Sequence, residues 1–346
     1  PPERLPGMHE QVAKALLAAT GGVGVARRLA HHFEIAGDRE RAATFSLRAG
    51  IEALSGSAYR EAVSLFEKNL ALTPATKRID RARTRSLLAE AHLRLGDYPN
   101  ALEHGQEVLR SLEAAAPKGH ARYAIACARH LATAIIEFER RGPKPVASPS
   151  DQARLAAFVS VGEAGFYLGS WRDMLWSIVS SLSIGEAHAP TENLARIHAD
   201  VGLLAWTVRF SLMARRCSTR GIQIAEALGA NATLALTLQR AGAIRLTESD
   251  WDASERLLER AIAMAEGVRD RTHWQEASAV LGMNQLYRGR HTESAETSRK
   301  LLSSARTHGD TQGLLWGAPL AACAALRLDR VDEARAFLEE ARSHFD

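Results

Sequence analysis

The sequence predicts an all-α chain of stacked helix hairpins, an α-solenoid, on three observations. Four glycines, Gly162, Gly202, Gly242 and Gly282, stand forty residues apart. Only 6% of the 346 residues are aromatic and β-branched runs are scarce, whereas Ala, Leu, Arg and Glu dominate, so summed propensity favours helix almost throughout. Small and turn-forming residues follow each glycine at the same offsets, which is what a repeated hairpin requires.

The offsets hold through five copies without an insertion. Behind Gly162 come Gly169, Trp171, Met174, Ile178 and Ser181; behind Gly202 come Arg209, Ser211, Ala214, Ser218 and Gly221. Gly242 is followed by Ser249, Trp251, Ser254, Leu258 and Ala261, and Gly282 by Gly289, His291, Ser294, Ser298 and Leu301. Ala322 opens the last copy, with Asp329, Val331, Ala334, Leu338 and Ala341. Physically, a small residue in the first helix lets a neighbour approach, a tight turn follows, and the second helix packs back. The equivalent tryptophans Trp171 and Trp251 are read as wedges between adjacent helices.

Turn signals then place the helices at 8–19, 23–36, 39–55, 59–72, 76–95, 98–115, 118–140, 151–168, 171–187, 191–209, 211–228, 231–248, 251–266, 271–288, 291–307, 311–328 and 331–345. Gly37-Asp38, Gly96-Asp97 and Gly309-Asp310 each offer a left-handed C-cap followed by an N-cap. Three prolines between Arg140 and Ser150 preclude continuous helix. The chain therefore divides into an N-terminal tail or cap helix at 1–20, a first array at 21–140, a linker at 141–150 and a five-unit array at 151–346. The linker breaks the phase, since Ala89 and Gly162 are 73 residues apart rather than 80, and the helix at 118–140 has no evident hairpin partner.

Composition narrows the function. With 46% hydrophobic and 24% charged residues the chain is an ordinary globular one. Its 44 basic and 40 acidic residues are interspersed, net +4, and form no phosphate-tracking stripe, which argues against nucleic acid. No apolar run approaches the roughly 20 residues that span a bilayer. Cys127, Cys217 and Cys323 give neither a disulfide framework nor zinc-ligand pairs, so a cytoplasmic location is expected. The start at Pro1-Pro2-Glu3-Arg4, without an initiating Met, suggests a segment of a longer protein.

No catalytic, cofactor-binding or metal-ligating set emerges. Gly21-Gly22-Val23-Gly24 lacks the Lys-Ser/Thr of a phosphate loop and reads as a helix-separating turn. His31 and His32 are adjacent rather than three or four apart. Ser180, Ser181, Ser183, Ser303 and Ser304 fall inside expected helices, away from any nucleophile elbow. The expectation is a binding array and not an enzyme.

The spacing of small residue, turn, aromatic and small residue resembles the tetratricopeptide repeat, whose usual period is about 34 residues. Gly50, Tyr59, Ala62, Phe66 and Pro74, and again Ala89, Gly96, Asp97, Tyr98 and Ala101, occupy its signature positions. An array of HEAT type has a period close to forty and remains the structural alternative. The resemblance implies a right-handed superhelix whose first helices line a concave groove. The groove-facing positions it implies are Val159, Glu163, Phe166 and Tyr167; Arg196, Leu203 and Trp206; Gln239 and Leu246; Met283, Leu286 and Tyr287; and Trp316 and Arg327. Phe166, Trp206, Tyr287 and Trp316 would form an aromatic stripe of the kind that protein-binding hot spots favour. The competing reading is that half or more of these pack between helices.

At the N-terminal end, His9-Glu10-Gln11-Val12-Ala13-Lys14-Ala15-Leu16, then Leu29-Ala30-His31-His32-Phe33-Glu34, Ala36-Gly37-Asp38, Arg41-Ala42-Ala43 and Arg48-Ala49-Gly50 resemble a junction in large bacterial signalling proteins. There a STAND-type AAA ATPase, often accompanied by a class III adenylate or guanylate cyclase or a LuxR-type DNA-binding domain, passes into its tetratricopeptide array. The resemblance implies a sensor or scaffold that binds a protein or peptide partner, contacts the upstream ATPase within the same molecule, and needs no cofactor. Residues 1–20 would be the tail of the preceding winged-helix-like region. The alternative is a free-standing adaptor or an oligomerisation scaffold, in which Leu328, Val331, Phe337 and Leu338 stack on another copy.

Overall fold

The computed structural model describes residues 5–22, 24–140, 142–207 and 209–343, and among these it contains seventeen helices and no strand. They are α1 (Leu5–Thr20), α2 (Ala26–Ile35), α3 (Arg39–Ser55), α4 (Tyr59–Leu72), α5 (Arg78–Arg94), α6 (Tyr98–Ser111), α7 (His120–Glu139), α8 (Pro149–Tyr167) and α9 (Trp171–Glu186). There follow α10 (Glu192–Thr207), α11 (Ser211–Leu228), α12 (Asn231–Thr247), α13 (Trp251–Gly267), α14 (Arg271–Tyr287), α15 (His291–His308), α16 (Thr311–Arg327) and α17 (Val331–Arg342). Each helix the sequence predicts is present, with ends shifted by a few residues.

The forty-residue phase has a backbone cause. Residues 169, 209, 249, 289 and 329 all lie in the left-handed region, at φ 68°, 61°, 60°, 78° and 58°. In the third of these turns the Ser249 amide donates to Leu246 O at 3.1 Å and the Asp250 amide to Arg245 O at 3.0 Å. This closes the last carbonyls of α12 in a Schellman motif. The same pair of bonds recurs at the other four turns. Glycine fills the left-handed position at 169 and 289, but Arg209, Ser249 and Asp329 occupy it too, so the phase is set by helix packing more than by turn chemistry. The three Gly-Asp pairs behave as their residues dictate. Gly37, Gly96 and Gly309 have φ of 81°, 75° and 64°, and the carboxylates of Asp38, Asp97 and Asp310 accept amide protons from Arg41, Asn100 and Gln312.

The repeat glycines are contact points. A Cβ on Gly242 would lie 2.7 Å from Leu258 Cγ of the second helix of its own hairpin. On Gly202 it would lie 2.9 Å from Ser218 Oγ, and on Gly282 2.6 Å from Leu320 of the next hairpin. Ser254 and Ser294, one copy apart and fully buried, donate to the carbonyls of Gly242 and Gly282 at 2.9 and 2.8 Å.

By packing, the chain forms two compact units, residues 1–189 and 190–346. The first copy of the forty-residue period, α8 and α9, belongs with the N-terminal half. Helix α8 lies against α5 and α6 and buries Ala157, Phe158 and Val161 with Val108 and Leu109. Hairpin α8–α9 thus succeeds hairpin α5–α6 directly, and α7 with the proline segment is an insertion between them. That insertion is why the phase slips. Helix α7 has a partner after all, α9. The Tyr123 hydroxyl donates to Arg172 O at 2.7 Å, and the Arg172 guanidinium lies 4.2 Å from the Tyr123 ring centre. The proline segment folds back as well: the Ala189 amide donates to Pro145 O at 2.7 Å, and Lys144 pairs with Glu186 at 3.1 Å.

Three histidines of the first unit are held below the usual imidazole pKa. Burial is the largest cause for His104 and His130, followed by the neighbouring His92 and Arg129 respectively. For His32 burial is followed by His9, His31 and Arg28. A base with a depressed folded pKa binds fewer protons than its unfolded form, so folding weakens as pH falls through the unfolded value of about 6.5. Thermal unfolding followed from pH 7.5 to 5.5 is expected to show a falling Tm, and His104→Gln with His130→Gln should flatten the slope. An unchanged slope in the double variant refutes this.

Candidate interaction surface

In the second unit the first helices form an inner layer: α10 packs on α12, α12 on α14 and α14 on α16. The second helices lie outside, one behind each turn, and long side chains bridge them at a spacing of 34 residues. Arg260 pairs with Glu226 at 2.6 Å, Arg299 with Glu333 at 2.7 Å and Arg306 with Glu340 at 2.6 Å. Arg299 holds the Glu333 carboxyl below the usual carboxylate range through its hydrogen bond, against a smaller opposing effect of burial. These pairs are solvent-accessible and each contributes at most about 1 kcal/mol. Their value is register, since each fixes one outer helix against the next.

The outward face of the inner layer is the candidate site. Leu203, Ala243, Met283 and Cys323, one copy apart, form a column whose exposure rises from partial at Leu203 and Ala243 to open at Met283 and Cys323. Beside it, Thr207, Thr247, Tyr287 and Arg327 are all exposed. Arg240 and Asp200, also one copy apart, face each other across α10 and α12 at 3.7 Å. An apolar strip with a charged pair at one end is chemically suited to an amphipathic segment of another polypeptide. Among the described residues no group of three or more His, Cys, Asp or Glu could hold a metal ion, and no helix is long and apolar enough to cross a membrane.

The sequence-derived groove positions fall into three groups. Met283, Tyr287 and Arg327 are open to solvent, and Arg196, Leu203, Trp206, Leu286 and Trp316 are half-buried on the same layer. Gln239 and Leu246 are interior, at 6% and 5% exposure, because the neighbouring first helices close over them. On α8, in the first unit, Val159 is interior as well, Glu163 is half-buried and Phe166 is exposed. Tyr167 stacks on Tyr98 with ring centres 4.2 Å apart. Of the four aromatics of the expected stripe, Phe166 lies in the first unit and Trp206, Tyr287 and Trp316 in the second. Trp171 is corrected too: it is 62% exposed, touching Tyr123 only edge-on at 6.5 Å, whereas Trp251 meets Tyr287 at 6.2 Å. At the last hairpin, Val331 and Leu338 are exposed while Phe337 packs inward against the α16–α17 core. Asp200, Arg240 and Cys323 were not among the groove positions expected from the sequence. Arg240 and Cys323 stand forty residues beyond Asp200 and Met283, so reading the period down each column would have found them.

Residues 40–114 match the tetratricopeptide repeat family, the stretch that carries the Gly50 to Ala101 signatures. No curated protein matches the sequence. Among solved structures, the chain is similar to a signal transduction ATPase with numerous domains carrying a tetratricopeptide repeat sensor, from Pyrococcus horikoshii. The TM-score is 0.53 and the identity 11%, over 99% of this chain and 48% of that one. It is similar also to aspartyl phosphate phosphatase F of Bacillus subtilis, with a TM-score of 0.54 and 13% identity, over 93% of this chain and 75% of that one. The chain thus spans about half the length of the archaeal protein. At these identities the likeness is one of fold, and the fold is an all-α array of tetratricopeptide-like hairpins.

Proposed function

We propose that this chain is a protein-binding sensor or scaffold segment that regulates an attached signalling ATPase or cyclase, and that the inner-layer face of its second unit receives the partner. The observation that carries this reading is the apolar column from the half-buried Leu203 to the solvent-open Met283, flanked by the exposed Tyr287 and Arg327 and the half-buried Trp316. Large apolar and aromatic side chains left accessible on a packed layer are the anchors that interfaces use. The archaeal protein of similar fold, named for a repeat sensor attached to an ATPase, supports placing the segment in such an assembly. Regulation would proceed by population shift. A partner that prefers one arrangement of the hairpins biases the attached module by its differential affinity for the two states. Self-association through the exposed Val331 and Leu338 of the last hairpin is a second reading, favoured by their exposure of 56% and 49%.

Partners captured from cell extract on the immobilised chain, then titrated singly, test the groove. Met283→Ala and Tyr287→Ala are each expected to weaken binding about tenfold, or about 1.4 kcal/mol, the size typical of a hot-spot truncation. Trp171→Ala, in the first unit, should leave it unchanged. Equal binding by all three variants removes the groove assignment.

A further inference from the structure

One face in the first unit is unaccounted for by the groove. Helix α7 rests on α9 through Tyr123, Ala126 and Ala134, and its opposite face is apolar and open along its whole length. Ile125, Ile135 and Ile136 are 71%, 52% and 67% exposed, and the alanines on the same face, Ala121, Ala124, Ala128 and Ala132, are exposed too. At 100° per residue these positions share a single face. Isolated exposed apolar residues are ordinary, but a continuous stripe marks an interface.

Two features of the helix say what covers it. The first is size. Small residues dominate the N-terminal half of the stripe, at 121, 124 and 128, and large ones the C-terminal half, at 131, 135 and 136. A second α7 laid antiparallel sets the bulky Ile136 against the space beside Ala124 and brings the isoleucines together. In the register that places Ala128 beside Ala132 of the second copy, Ala124 faces Ile136 and Ile125 faces Ile135. The second is charge. Helix α7 has no acidic residue in its first turn and no basic residue in its last. Instead Arg122 stands near the start and Glu139 at the end, both exposed, opposite to what the helix dipole favours. An antiparallel second copy brings Arg122 within one residue of Glu139 at both ends, and it opposes the two dipoles as well.

We infer that the exposed face of α7 is a self-association surface, on which a second copy of this chain docks antiparallel, Ile136 against Ala124, Ile125 against Ile135 and Arg122 beside Glu139. A helix of 20 residues is about 30 Å long, so a strip of this kind lies at the low end of interface sizes. The dimer is accordingly weak and concentration-dependent.

Sedimentation velocity on the full chain between about 1 and 300 µM reads this directly. The wild type is expected to shift toward dimer across the range. Ile125→Asp combined with Ile136→Asp, both at solvent-open positions, should raise the midpoint at least tenfold with an unchanged far-UV spectrum. Arg122→Glu and Glu139→Arg should each weaken association, because each sets like charges together at both ends of an antiparallel pair, and an equimolar mixture of the two should recover it, because opposite charges then meet again at both ends. Val331→Asp should associate like the wild type, which separates this surface from the last hairpin. A wild type that stays monomeric throughout, isoleucine variants that associate normally, or a mixture no tighter than its components would each overturn the inference.

Discussion

Gly242→Leu is expected to destabilise the second unit by about 3 kcal/mol, the upper end for forcing bulk into a closed core. The Cβ alone would lie 2.7 Å from Leu258 Cγ and 2.8 Å from its Cδ2, and Leu258 is fully buried in the cluster that joins α10 through α14. Leu258 cannot swing aside without displacing Ala261 and Leu238, which are equally buried. The contrast is Gly267, the last residue of α13, where an added Cβ meets nothing within 4 Å. Gly267→Ala there should be neutral to stabilising by up to about 0.5 kcal/mol, since the unfolded chain loses more freedom than the helix does. Urea unfolding of both variants beside the wild type measures the two shifts. Equal effects at 242 and 267 would show that the forty-residue glycines are not packing residues.

Phe66→Ala should cost about 3–5 kcal/mol, as for a fully buried aromatic truncated to alanine. Its ring is completely enclosed in a cluster with Ala62, Leu88 and Ala91, and it occupies the space that Gly50 leaves: a Cβ on Gly50 would sit 2.5 Å from Phe66 Cε1. The two positions are therefore one unit of packing. Gly50→Ala alone is expected to cost about 1–3 kcal/mol, and in a Phe66→Leu background most of that cost should vanish, giving a coupling of about 1 kcal/mol or more in a double-mutant cycle. Additive effects in the cycle would refute the contact.

The helices and their phase were legible in the sequence because both rest on local or periodic information. Gly-Asp pairs announce their own caps, and five copies in register announce a hairpin even where Arg209, Ser249 or Asp329 stands at the left-handed position. The candidate site was legible in part. Met283, Tyr287 and Arg327 are exposed, as equivalent positions that share one orientation can be. Gln239, Leu246 and Val159 are interior, because helical spacing alone cannot tell an outward position from one that the next hairpin covers. Trp171 and Trp251 make the same point, with equivalent positions and different surroundings.

By itself the sequence determined the all-α class, the hairpin repeat, its forty-residue period and the role of the glycines, all consequences of propensity and of the room a missing Cβ leaves. Only the tertiary structure decided that α8 and α9 belong with the N-terminal half, that α7 is an insertion docked on α9, and that its isoleucine face stays open. Those facts depend on contacts between residues far apart in the chain, such as Val108 with Val161 and Tyr123 with Arg172, and no periodic pattern in the sequence records which distant faces meet.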